Sequence, residues 1–187
     1  MKKQILKTCV AAALCLGGMS QALAVDAGGN GNLRVGAVVM NGGCDLDIQH
    51  RAIELQREVA DFGVAVGDRA GAEQDIVITT QGGQCGNLNT NVDARLTITG
   101  TAAAANYFQL RDNQNAPIAN HGVSLMLGAA PVVPNVPLAL ENNNGVVHNA
   151  VNGSNTITLR AGLVRTAAGA ITPGASTADL LATVTYR

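Results

Sequence analysis

Chemistry needs side chains that can ligate, attack or move protons, and this chain of 187 residues groups few of them together. His50, His121 and His148 are scattered among polar turn residues. None has a second His or a Cys at ligand spacing, so all three read as surface loop histidines. No G-x-S-x-G, H-E-x-x-H or phosphate-loop pattern is present. Asp45 and Asp47 alternate beside Cys44, and solvent-facing strand positions explain them better than a carboxylate pair. Gly29-Asn30-Gly31 has no strand before it or helix after it, which argues against a phosphate cradle. Asn152-Gly153-Ser154 fits a glycosylation sequon, but the same three residues make an ordinary turn. No oxygen-ligand calcium loop occurs. The reading is of a protein that is not an enzyme and has no cofactor or metal. A small exported enzyme or metal binder using these histidines and carboxylates is the remote alternative.

The cysteines are read in the context of the first residues. Lys2, Lys3 and Lys7 precede the apolar run CVAAALCLGG, and Ala22-Leu23-Ala24 puts small residues at the −3 and −1 positions of a cleavage site. Residues 1–24 are therefore expected to be a signal peptide, and the protein to be exported. The apolar run is too short to span a bilayer as a mature anchor. Cys9 and Cys15 leave with the signal, and Cys44 and Cys85 remain as an expected disulfide. A redox pair would normally be C-x-x-C, and a metal site would need two further ligands at short spacing. The loop the bridge closes is 42 residues long, counting both ends. Chain-entropy reasoning values that constraint at roughly 4 kcal/mol.

Removing the three signal lysines from the twelve basic residues leaves nine, all arginine, against thirteen acids. The mature chain, Val25 to Arg187, thus carries a formal charge of −4 and is long enough for one domain with a real core. No basic patch interleaved with aromatics suggests nucleic acid.

What would position any site is a set of strands. Leu33, Val35, Ala37 and Val39 alternate, followed by Ile53 and Leu55. Further candidates are DIVITT (75–80), VDARLTITG (92–100), YFQLRD (107–112), GVSLML (122–127), VPLAL (136–140), NTITLRAGLV (155–164) and DLLATVTYR (179–187). Asn41-Gly42, Asn144-Gly145, Asn152-Gly153 and Thr172-Pro173-Gly174 supply turns between them. The pattern predicts an all-β sandwich. Residues 50–62 are rich in helix formers, yet their apolar positions are too few for a helix face, which favours strand plus loop. The run AAAAN (102–106) is helix-friendly but too short to stand alone.

Four segments in order carry a resemblance: VGAVVMNGGC (35–44), DIVITTQGGQC (75–85), NTITLRAGLVRTAAGAITPGAST (155–177) and ADLLATVTYR (178–187). With them the mature chain resembles the pilins of chaperone–usher fimbriae, in particular the type 1 fimbrial major subunit family. The resemblance implies an incomplete immunoglobulin-like sandwich lacking its last strand. Residues 25–40 would be an N-terminal donor-strand extension and residues 41–187 the pilin domain. Leu33, Val35, Ala37 and Val39 would plug the groove of a neighbouring copy, although the family usually shows glycine where this chain has Ala37. Leu180, Ala182, Val184 and Tyr186 would border the chain's own groove, and the carboxylate of Arg187 would be gripped by a chaperone. Expected partners are a periplasmic pilus chaperone, an outer-membrane usher and neighbouring subunits, on a route through the periplasm to the cell surface. A shaft subunit is the leading expectation and a minor adaptor of the same fimbria the alternative.

Overall fold

Burial alternates residue by residue along the strands. In Ser154–Arg165, for example, Asn155, Ile157, Leu159, Ala161 and Leu163 are buried, while Thr156, Thr158 and Arg160 are not. This is the behaviour of a pleated sheet with one face on a core. The structure, a computed structural model, describes residues 28–40, 45–49, 51–82, 85–104 and 106–185. For residues 28–32 and 37–40 it describes the backbone alone. The expected signal peptide, Cys44, His50, Tyr186 and Arg187 lie outside the described residues.

The strands are β1 Gly28–Met40, β2 Asp45–Gln49, β3 Ala52–Glu58, β4 Arg69–Gln81, β5 Arg95–Thr99, β6 Ala102–Ala104 and β7 Tyr107–Arg111. They continue with β8 Pro117–Leu127, β9 Ala130–Pro131, β10 Leu138–Ala139, β11 Val146–Asn149, β12 Ser154–Arg165 and β13 Gly174–Thr185. One 3-10 turn, Val59–Asp61, is the helical content of the described residues. The fold is all-β, as the alternation predicts.

Within the expected segment 50–62, the described residues 51–62 form β3 followed by that turn. Ile53 and Leu55 point inward while Ala52, Glu54 and Gln56 point out, so period-two burial overrides the helix propensity of the segment. Ala102–Ala104 is likewise drawn into a short strand, because β7 offers it an edge.

Two runs of strands enclose the core. In one, β2 pairs with β4, β4 with β12, β12 with β8 and β8 with β7, all antiparallel. In the other, β3 pairs with β1, β1 with β13, β13 with β5 and β5 with β10. A bridge between Thr177 and Arg111 joins the runs into one curled sheet. Ile76, Ile78, Leu125 and Leu159 from the first run share a buried core with Leu96, Ile98, Leu180 and Ala182 from the second. Each fully buried Leu or Ile of this kind contributes about 1.5–3 kcal/mol relative to an exposed one.

The turn at Asn152-Gly153 closes the β11–β12 hairpin, with Gly153 at φ +67°, a conformation most side chains resist. Asp45 and Asp47 are exposed on β2, while Ile48 is buried.

Candidate functional site

The place where this fold differs from a self-contained sandwich is the slot between β3 and β13. β1, the first described strand, fills it. Along one edge β1 runs parallel to β13 in unbroken register from Gly29 opposite Gly174 to Met40 opposite Thr185. Along the other it runs antiparallel to β3, from Gly28 opposite Glu58 to Arg34 opposite Ala52. The Val35 N–H donates to the Arg51 carbonyl at 2.9 Å and carries the pairing one residue further.

The inward face of the slot is apolar. Leu33 is fully buried and Val35 nearly so, while Arg34 and Gly36 between and after them face solvent. Opposite them on β13 are Ala178, Leu180, Ala182 and Val184, all buried. Ile53 and Leu55 on β3 complete the wall. Leu33 thus sits with Ala178 on one side and Ile53 on the other. Ala37 and Val39 are registered with Ala182 and Val184 along the same ladder.

β3 has no strand partner other than β1 among the described residues. β13 keeps β5 and the Thr177–Arg111 bridge on its far edge, but its near edge is covered by β1. Taking residues 28–40 away would leave two strands with bare edges and Leu180, Ala182 and Val184 open to water. Unpaired edges beside an apolar face invite another strand.

The sequence reading puts Leu33, Val35, Ala37 and Val39 in the groove of a neighbouring copy. Here β1 lies in the chain's own slot. Among the other expected residues, Cys85 is disulfide-bonded and buried. Its expected partner, Cys44, is outside the described residues.

The turn after the bridge is held by a buried amide. Asn155 Nδ2 donates to Thr80 Oγ1 at 3.0 Å and to the Gly86 carbonyl at 2.8 Å. Its Oδ1 accepts from the Leu88 N–H at 3.0 Å and lies 3.0 Å from His148 Nδ1. With Asn155 Oδ1 able only to accept, His148 carries its proton on Nδ1.

His121 corrects the sequence reading. It was expected on a surface loop, yet it is fully buried on β8, on the same inward face as Val123 and Leu125. Its ring meets Phe62 edge-on, with centroids 5.6 Å apart. Neither ring nitrogen has a hydrogen-bond partner. Burial lowers its pKa below 6.5, and the backbone of Ala119 offsets part of that effect. Polar neighbours in sequence hid this position, although its two-residue spacing from Val123 was the available signal. Among the described residues no three His, Cys, Asp or Glu side chains come together as a metal site.

The class that the fold defines is an all-β domain whose sheet is completed by the first described strand. Residues 20–187 match the model of the family described as "Fimbrial protein", and the chain belongs to that family. It is a subunit of a fimbria, a structural component that assembles with other pilus subunits outside the cell. Among solved structures it is similar to the P pilus rod subunit PapA, at 14% sequence identity, with 80% of this chain and 96% of that chain covered and a TM-score of 0.49. No curated protein matches it in sequence.

Proposed function

We propose that this protein is a shaft subunit that polymerises by strand exchange, with residues 28–40 of one copy filling the β3–β13 slot of another. The observation that carries the proposal is that the slot is filled by the first strand of the chain and not by the body that follows it. The exchange asks little of the sequence. Period-two alternation places Leu33 and Val35 inward whichever way the strand runs. In its own slot β1 is parallel to β13, and parallel pairing is slightly weaker per residue than antiparallel pairing. A strand arriving from another copy in the reverse sense would be antiparallel to β13 along the longer ladder and parallel to β3 along the shorter one. Asn41, Gly42 and Gly43, just after β1, are residue types that tolerate the change of direction such an exit requires.

On this reading a periplasmic chaperone lends a strand to the empty slot until an outer-membrane usher passes the subunit to its neighbour. This mode of strand addition is a general one, and fimbrial assembly is among its known examples. The bridge at Cys85 is assigned to Cys44. The usable first strand disfavours a terminating subunit, and a minor adaptor remains the second reading.

Deletion of residues 25–40 tests the proposal. The shortened protein should be captured by the chaperone and should fail to extend a polymer in an assembly assay. Polymers of normal length from the shortened protein would refute the exchange role.

A further inference from the structure

His121 sits where the slot begins. The 3-10 turn Val59–Asp61 lies against the first residues of β1, and Glu58 just before it is registered with Gly28. Phe62, next in the chain, is buried and packs on the His121 ring. On the other side, the Thr166 N–H donates to the Asn120 carbonyl, and Asn120 Nδ2 donates to the Ala170 carbonyl at 2.8 Å. Buried Ile171 follows, three residues before β13 starts at Gly174. The imidazole therefore packs under the cap beside β1, and its chain neighbour Asn120 ties the same strand to the lead into β13. A surface hollow of about 550 Å³ lies nearby, lined by Pro117, Ile118, Ala119, Pro173 and Gly174.

We infer that His121 is an acid-sensitive latch on the slot: neutral, it seats Phe62 over the core, and protonated, it releases that cap and the first residues of β1. The inference rests on the strand-exchange reading and adds its regulation. An imidazolium here would be a buried cation with the Ala119 backbone alone to set against the loss of water, a costly arrangement. Arg165, its cross-strand partner on β12, is itself cationic and is committed to the carbonyls of Gly63 and Gly169. On the segment carrying Phe62, Asp61 accepts from the Glu58 N–H and Asp68 from the Ala65 N–H. On β7, Arg111 donates to the Asn115 carbonyl. None of these groups forms an ion pair or hydrogen bond with the ring.

The direction follows from linkage. The closed form takes its proton below pH 6.5, while an opened form with the ring in water takes it near 6.5. Between those points only the opened form holds the proton, so acidification favours opening and neutral pH favours closure.

The test follows uptake of a fluorescent synthetic peptide with the sequence Gly28–Met40, supplied in excess of the roughly millimolar effective concentration of the tethered strand, into the exported protein at about pH 7.5 and pH 5.5. Uptake should accelerate on acidification by at most about tenfold, the ceiling that an opened form titrating near 6.5 sets at pH 5.5. His121→Leu should take up the peptide at a rate independent of pH. An equal acceleration in that variant would overturn the latch while leaving exchange intact. Uptake at neither pH would overturn the exchange reading itself. Should the variant fail to fold, NMR titration of the His121 ring in the unmodified protein decides. A midpoint below 6.5 supports the latch, and one at or above 6.5 overturns it.

Discussion

Leu33 stands opposite Ala178 across the parallel ladder between the first and last strands, a large inward side chain meeting a small one. The pairing is steric, with bulk on β1 matched by a recess on β13. Beside it Arg34 faces Asp179 on the outer surface at 4.0 Å, with both side chains mostly exposed. The two contacts share a register and differ greatly in energy.

Leu33→Ala should destabilise the protein by about 2–5 kcal/mol, the range for emptying a packed core site. Arg34→Ala should change stability by no more than about 0.5 kcal/mol, since exposed ion pairs contribute little. Urea midpoints of the two variants give the comparison. Equal midpoints would mean that Leu33 is not packed in the slot.

Cys85→Ser removes the bridge from the start of the Gly86–Leu88 segment. Loss of the constraint should cost about 2–5 kcal/mol and weaken capture by the chaperone. Thermal melting with and without reductant reads the effect. A melting temperature that neither the substitution nor the reductant moves would exclude a stabilising bridge.

Asn155→Ala should be as damaging as many core truncations, although the residue is polar. It strands the Leu88 N–H and the Gly86 carbonyl, and each orphaned buried group costs about 1–3 kcal/mol. A total loss of about 3 kcal/mol is expected, with faster amide exchange at Leu88. Protection at Leu88 equal to that of the unmodified protein would show that another group holds that segment.

Much of this architecture is legible in the sequence because a pleated strand writes its burial as alternation. DIVITT and GVSLML fall within observed strands, YFQLRD does so as far as Arg111, and DLLATVTYR as far as Thr185, the last described residue. Leu33 and Val35 are likewise identifiable as one apolar face. The direction of β1 is not legible, since a period of two reads the same both ways. His121 is missed for a related reason. Between Asn120 and Gly122 its neighbours look like a turn, and only its parity with Val123 and Leu125 reveals an inward position. Short strands such as β9 and β11 carry too few residues for a pattern and exist because a longer strand offers them an edge.

The four residues joining β1 to β2 have a consequence for mass action. A short tether holds its strand at an effective concentration on the order of millimolar with respect to the slot. A rival strand free in dilute solution competes at a large disadvantage, whatever its intrinsic fit. Subunits would therefore persist as closed monomers until something delivers the rival locally or keeps the slot from closing on itself, so that supply of the partner, more than affinity, sets when a filament grows.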